Sequence, residues 1–369
     1  MEPIGLYLHI PFCDGKCAYC SFFSRRTSQE EMSYYTEQLI GSIGLWGERV
    51  KRPVDTVYFG GGTPSLLGHE RLISVLQSVY GSFSVANDAE ITVEVNPTSA
   101  GDLDFFAMRK AGFDRLSIGM QSVNDNELRI LRRRHNPDDV KHTAEQAKAG
   151  GFDNISLDVM LAIPEQTMDS LDRTLSFCAS QDVQHISCYI LKIEEGTPFY
   201  RMKDSLPLFD DDEQAAFYEH TVRRLGELGY HQYEISNFSR IGYESRHNLH
   251  YWHDEEYLGI GPSAHSFIDG KRFYYPDAFD SFYADRTEFE GIGGNREEYI
   301  MLALRLSEGL RFDRYRERFN EDIDDKLLKA ALRLEQNGLC EIDKNAVRLT
   351  VKGFLVSNSV IAYLTESMG

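Results

Sequence analysis

Leu6-Tyr7-Leu8-His9-Ile10-Pro11-Phe12-Cys13-Asp14-Gly15-Lys16-Cys17-Ala18-Tyr19-Cys20 is an apolar, β-rich run that leads directly into three cysteines spaced C-x3-C-x2-C. Three thiolates satisfy three irons of a cubane 4Fe-4S cluster and leave the fourth without a protein ligand, and an open iron is where chemistry can happen. Zinc is the alternative, because Cys-x2-Cys also suits a zinc ribbon, but a structural zinc takes a fourth Cys or His at a matching distance. His9 is too close and on the preceding strand. Cys178, Cys188 and Cys340 are isolated and read as buried apolar side chains.

Outward from this stretch, short β-rich runs alternate with helical segments, the pattern of a parallel α/β sheet. The expected strands are Gly5 to Ile10, Thr56 to Phe59, Glu90 to Glu94, Arg115 to Gly119, Asn154 to Met160 and His185 to Ile193. Between them lie Glu30 to Gly44, Glu70 to Tyr80, Leu103 to Gly112, Pro137 to Gly150 and Met168 to Gln181, all helix-compatible. Six β/α units predict a barrel or part of one, with function at the C-terminal strand ends. The chemical residues fall there: the cysteines after the first strand, Gly60 to Thr63 after the second, and Glu94 closing the third.

After Ile193 the rhythm gives way to loops rich in Gly, Pro and aromatics. Asp210-Asp211-Asp212-Glu213 opens a helix expected to reach Leu228, and carboxylates there favour the helix dipole, so the cluster reads as a cap and not as a metal site. From Arg296 a helix-rich segment begins: Glu297 to Leu306, Arg311 to Phe319 and Asp325 to Asn337. Short strands near Leu339 to Ile342 and Val347 to Leu349 follow, then a helix over Val351 to Leu364. This order predicts a winged-helix-like module. The expected divisions are 1–240 for the barrel, 241–295 for a linking segment and 296–369 for the C-terminal domain.

The formal charge of −19 over 369 residues argues against a phosphate-backbone binder, so nucleic acid is not an expected partner. The acidic run Glu321-Asp322-Ile323-Asp324-Asp325 points the C-terminal module toward protein contact instead. Six cysteines, three of them crowded near the start, do not form a spread disulfide framework, and a reducing cytoplasm is the expected location. Apolar runs break before the ~20 residues of a membrane span, so membrane contact is expected to be peripheral.

The cysteine motif resembles that of the radical S-adenosylmethionine (SAM) superfamily, in which the methionyl amine and carboxylate of SAM chelate the fourth iron. Tyr58-Phe59-Gly60-Gly61-Gly62-Thr63-Pro64-Ser65 resembles the family's glycine-rich segment that meets the SAM amino group, since only glycine lets bare backbone approach a small zwitterion so closely. The resemblance carries further roles onto this chain: Glu94 for the SAM ammonium, Gln121 for the ribose or neighbouring groups, Arg133 for the SAM carboxylate and Asp158 for the ribose hydroxyls. Tyr7 corresponds to a tyrosine near SAM and Tyr19 to the aromatic before the third cysteine. Arg132 and Arg134 read as a solvated face. The implied fold is a partial (β/α)6 TIM-like barrel with a helical, winged-helix-like C-terminal domain.

Within the superfamily the likeness is to the branch of oxygen-independent coproporphyrinogen III oxidase and its haem-chaperone relatives. It rests on Leu6 to Cys13, Gly60 to Ser65 and Ile193-Glu194-Glu195-Gly196-Thr197-Pro198-Phe199, and covers nearly the whole chain. The oxidase carries a fourth cysteine two residues after the third, where this chain has Phe22. His247-Asn248-Leu249-His250-Tyr251-Trp252 resembles the chaperones' H-N-x-x-Y-W motif, associated with haem binding, and His247 is the expected haem contact, with His250 and His265 competing. The alternative is that His247 and Asn248 are hydrogen-bonding residues and Tyr251 and Trp252 pack on the barrel. The resemblance implies a haem chaperone that passes haem to an acceptor such as a membrane-bound respiratory haemoprotein. The competing implication is an oxidase that decarboxylates porphyrinogen propionates by radical abstraction, started when a reduced cluster would pass one electron to the SAM sulfonium and break its sulfur-to-C5' bond, giving methionine and a 5'-deoxyadenosyl radical. No residue of this chain is assigned a catalytic role beyond orienting SAM. Three departures stand out: Ala162-Ile163-Pro164-Glu165-Gln166 where relatives read G-L-P-G-Q, Ser263-Ala264-His265 where they read G-A-H, and Ser21 where they often have Asp.

Overall fold

The computed structural model describes residues 2–368. Six parallel strands follow one another in space as in sequence: β1 (Ile4–Ile10), β2 (Pro53–Gly61), β3 (Ser84–Val95), β4 (Arg115–Gln121), β5 (Asn154–Leu161) and β6 (His185–Ile190). Helices Gln29–Val50, His69–Ser82, Phe105–Ala111, Pro137–Ala149 and Met168–Ser180 connect them. The edges do not meet. Beyond β6 the sheet continues with two antiparallel strands, β7 (His231–Gln232) at its edge and β8 (Asn237–Ser239) beside β6. Beyond β1 it continues with parallel β9 (Tyr257–Ile260), then antiparallel β10 (His265–Ile268), β11 (Lys271–Tyr274) and β12 (Glu288–Ile292).

Residues 241–295 are therefore not a linking segment. They supply four strands of one twelve-stranded sheet, and the expected boundary at residue 240 falls inside a continuous layer. The expectation failed because these strands are four or five residues long and the first of them, β9, joins the sheet through β1, some 250 residues away, with β10 to β12 added to it in turn.

Alternation along the six strands divides the sheet into two unlike faces. Leu6, Leu8 and Ile10, Val57 and Phe59, Ile91 and Val93, and Leu116 and Ile118 are at most 1% exposed. Each such side chain contributes about 1.5–3 kcal/mol by leaving water. The intervening residues are polar and meet one another across strands: Tyr58 donates to Glu94 at 3.0 Å, Ser117 donates to Asp158 at 3.0 Å, and Ser156 pairs with His185 at 2.8 Å. A barrel lined this way has a polar interior in place of a filled apolar core.

Local chemistry fixes the helix starts. Ser28 with Glu31, Asn136 with Asp139 and Thr167 with Ser170 form reciprocal capping boxes. The acidic run at Asp210 does the same: Glu213 N–H donates to Asp210 and Asp210 N–H to Glu213, both at 2.9 Å, which starts the helix Asp211–Glu227.

The C-terminal module places helices Arg296–Ala303, Phe312–Phe319 and Asp325–Gln336 around a small antiparallel sheet of β13 (Leu310–Arg311), β14 (Cys340–Ile342) and β15 (Ala346–Leu349), ordered β13-β15-β14. The single last helix expected over 351–364 is two, Val351–Leu355 and Ser357–Glu366. Main-chain bonds Ile235 N–H to Arg305 O (3.0 Å) and Ser307 N–H to Tyr233 O (2.9 Å) tie the module to the sheet. Among the described residues no helix is long and apolar enough to cross a membrane.

Candidate cofactor site at the strand ends

The loop after β1 holds Cys13, Cys17 and Cys20 as half-buried free thiols. Backbone bonds pin it on several sides: Cys13 N–H to Arg25 O (3.0 Å), Ala18 N–H to Leu131 O (3.1 Å) and Phe199 N–H to Ala18 O (2.9 Å). Tyr19 packs onto a small apolar cluster that includes Leu131, Met160 and Phe199, so the Ile193–Phe199 segment serves as an anchor for the cysteine loop. Thr63 Oγ1 lies 3.4 Å from Cys13 Sγ, and Arg133 Nη1 donates to Cys17 Sγ at 3.7 Å. Burial pushes the Cys20 thiol up to about 11, with the neighbouring Cys17 and Cys13 adding to the effect.

Gly60, Gly61 and Gly62 are glycine for a reason visible in their surroundings. A Cβ on Gly60 would stand 2.9 Å from the Tyr7 and Tyr58 rings and 3.2 Å from Glu94 Oε1; on Gly61 it would meet the His9 ring at 2.7 Å, and on Gly62 the Phe12 carbonyl at 2.6 Å. The glycines let β2 close against the end of β1, and Gly61 also has a φ of +114°. The same absence of side chains leaves Tyr7, Gly60 and Glu94 gathered at one spot.

Glu94 is buried there, and burial pushes its carboxyl up to about 8; the nearby Asp158 charge adds to this, and the Tyr58 hydroxyl only partly offsets it. Asp158 is raised for the same first cause, burial, despite hydrogen bonds from Ser187 and Ser117. Two buried carboxylates so close are under-compensated by the protein, which is the electrostatic setting that a bound cation relieves. Gln121 ends β4 at φ +69°, an uncommon left-handed conformation for a side chain of this size. Its amide and the Arg133 guanidinium both lie over Gly119, whose Cβ would be 3.4 Å from Gln121 Nε2 and 2.9 Å from Arg133 Nη2. Arg133 also donates to the Gly119 carbonyl, while its buried Nε has no partner among the described residues.

These features fit the implied groups. Three loop thiols with a guanidinium at one of them suit an anionic iron-sulfur cluster, and unrelieved carboxylates opposite an under-partnered arginine suit a zwitterion with a sulfonium. Among the described residues no three His, Cys, Asp or Glu side chains are drawn together around a point that would hold one ion. A cubane requires no such convergence, since each thiolate binds a different iron.

The structure sets Thr63 and Arg133 against the cysteine loop, with Tyr19 packed beneath it. Gly61 and Gly62 close on the end of β1, Tyr7 and Glu94 meet at Gly60, Gln121 joins Arg133 over Gly119, and Asp158 lies deeper in the barrel beside Ser117. The structure does not bring His247 to the cysteine loop. His247 lies on the helix Arg246–Trp252, only 1% exposed, against Gly5, Thr56 and Glu90 at the opposite, N-terminal end of β1 to β3. Its Nδ1 pairs with Thr56 Oγ1 at 2.8 Å and its Nε2 with Tyr251 at 2.9 Å, so neither ring nitrogen is available to an iron. The expected haem contact is corrected to a plug of the barrel floor. His250 is no substitute: burial opposes its charge, but Asp55 and Glu255 hold it as an imidazolium, up to about 9. His265 is exposed beside Glu290.

Sequence reasoning missed Arg115, which is 2% exposed on the polar face with its Nε unpartnered among the described residues. The signal was present: Arg115, Ser117, Gly119 and Gln121 alternate along β4, and a cation on that register must face the interior.

Comparison with known proteins agrees with this geometry. The family described as the Radical SAM superfamily matches residues 7–178, and that described as the HemN C-terminal domain matches 295–356. "Heme chaperone HemW" of Bacillus subtilis (strain 168) is 33% identical, over 98% of this chain and 99% of the relative. "Heme chaperone HemW" of Mycobacterium tuberculosis (strain ATCC 25618 / H37Rv) is 35% identical, over 98% and 95%. The solved coproporphyrinogen III oxidase HemN of Escherichia coli is 23% identical and superposes with a TM-score of 0.84 over 98% of this chain and 90% of that one, a likeness of fold. With a strand-end site built for a cysteine-held cluster and SAM, and with relatives of that identity along its whole length, the chain belongs to the radical SAM superfamily, in the HemW family.

Proposed function

We propose that this protein carries haem and delivers it to an acceptor haemoprotein, with one 4Fe-4S cluster and SAM as resident cofactors. The observation that carries the reading is Phe22, 65% exposed where the related oxidase has a fourth cysteine, in a chain whose full-length relatives are named as haem chaperones. A cluster held with SAM supplies one-electron reduction chemistry at the sulfonium. The chain's own residues hold and orient: Cys13, Cys17 and Cys20 ligate, Glu94 accepts from the methionyl amine, Arg133 receives the carboxylate, and Asp158 the ribose hydroxyls. Gln121 contributes its amide over Gly119, and Tyr7 closes the interior side. A cytoplasmic location, peripheral to the membrane where the acceptor is a respiratory enzyme, belongs to the same reading.

The test is anaerobic incubation of the cluster-loaded protein with SAM, a reductant and coproporphyrinogen III, alongside haem titration. Haem uptake without decarboxylation is expected. Formation of protoporphyrinogen overturns the reading in favour of the oxidase.

A further inference from the structure

Arg132, Arg133 and Arg134 diverge. Arg133 turns inward to Gly119 and Cys17, whereas Arg132 and Arg134 are exposed. With Lys16, Arg26 and Arg129 these two line a cavity of about 360 Å³ that also takes in Cys17. The local balance is the reverse of the chain's −19, because five exposed cations share one lining carboxylate, Asp14, which Arg134 engages. Arg26 and Arg132 form no ion pair among the described residues. Arg26 and Arg134 converge, since a Cβ on Gly15 would stand 3.7 Å from one guanidinium and 3.6 Å from the other. Lys16 reaches across to the Phe22 carbonyl at 3.4 Å, so the exposed aromatic residue borders the cationic rim.

Like charges gathered in this way repel unless an anion joins them. Guanidiniums recognise carboxylates by paired, charge-assisted hydrogen bonds. The barrel interior offers no such excess of cations, since Arg115 and Arg133 stand there with Glu94 and Asp158. Haem is a flat apolar macrocycle with two carboxylates on one edge. The rim offers cations for that edge, and Phe22 offers an aromatic surface for the adjoining plane.

We propose that Lys16, Arg26, Arg132 and Arg134 form the docking site for the propionates of the haem cargo, on the outer side of the cysteine loop, with Phe22 against the macrocycle. This rests on the haem-carrier reading, and the test separates the two. Haem and its dimethyl ester are titrated into cluster-loaded wild type, R26E/R132E and D14N, following the haem absorbance, with the cluster band and SAM binding as controls for an intact site. Wild type is expected to prefer haem over the ester by at least about tenfold. R26E/R132E loses that preference with its cluster band unchanged, and D14N, which removes the competing carboxylate, binds haem more tightly. If wild type binds haem and ester alike, or R26E/R132E keeps full haem affinity, the docking site is refuted and the carrier reading stands. If wild type binds no haem, both fall.

Discussion

The Nε2 of His247 lies 2.9 Å from the hydroxyl of Tyr251, one helical turn further along Arg246–Trp252. With Thr56 on the other nitrogen and Tyr58 stacked at 5.1 Å between ring centroids, the imidazole is fully committed to protein contacts. Burial holds it neutral, its pKa well below the ordinary histidine value.

His247→Ala is therefore expected to cost about 2–4 kcal/mol, because it opens a cavity and strands two buried hydroxyls. Tyr251→Phe, which strands only the ring nitrogen, is expected to cost about 1 kcal/mol. Urea denaturation measures both. A His247→Ala protein of wild-type stability that has lost haem would restore the histidine as a ligand.

Glu94 gives SAM binding a pH dependence of predictable sign. Its carboxyl is held up near 8, so at neutral pH much of it is protonated and must ionise to accept freely from the methionyl amine and offset the sulfonium charge. Affinity for SAM is expected to rise by up to about tenfold per pH unit toward pH 8 and then level off. Glu94→Gln flattens the profile at lower affinity. Without SAM the dependence runs the other way: a carboxyl whose folded pKa is raised stabilises the fold at low pH and loses that contribution as pH climbs from its ordinary range through about 8. Calorimetry across pH, with and without SAM, reads both. A flat wild-type profile would remove Glu94 from the amine site.

The three departures from the family's glycines coincide with left-handed backbone: Ala162 at φ +57°, Glu165 at +67° and Ser263 at +67°. Each of these bends is occupied by a residue with a side chain, where glycine would adopt it freely. Left-handed backbone costs a side-chain-bearing residue ~1–2 kcal/mol, and glycine returns roughly half through its looser unfolded chain. Ala162→Gly and Ser263→Gly are each expected to stabilise by about 0.5–1 kcal/mol. Glu165→Gly should gain less, because Glu165 accepts a hydrogen bond from Asn126 at 2.8 Å. Thermal denaturation of the three single variants gives the order.

What was legible in the sequence followed from local physics. The six parallel strands and their helices are found where β-rich runs, caps and breakers place them, with ends that differ most, by six residues, at the close of Gln29–Val50 and the start of β3, and Cys13, Glu94 and Gln121 sit at strand ends as the β/α rhythm requires. The rest depended on distant partners. β9 is four residues long and is a strand because β1 lies beside it. His247 is buried by residues more than 150 positions away, which a hexapeptide motif does not reveal. The division of Arg132-Arg133-Arg134 into one inward and two exposed side chains agrees with the reading of the motif, whereas the gathering of Arg26 and Arg134 over Gly15 needed the fold.

Asp254 decides how the C-terminal module is held. It lies between strand-borne Arg272 at 3.2 Å and Arg318 of the module at 2.7 Å, with no exposed side-chain surface. Burial pushes its carboxyl up to about 6 even with Arg318 beside it. Arg318→Ala leaves that carboxylate with one partner, and a broken buried pair of this kind costs about 2–4 kcal/mol near neutral pH. Protonation supplies an escape. The folded-state pKa is raised, so the penalty is present above about 6 and shrinks as the pH falls through that value. Asp254→Asn, which removes the charge and keeps a residue tolerant of the left-handed φ of +55° found there, should recover much of the loss when combined with Arg318→Ala. Denaturation of the two single variants and the double at pH 5 and pH 8 (on the order of one unit and two units either side of about 6) tests the coupling. Equal penalties at both values would mean that Asp254 does not carry the electrostatic load of the joint.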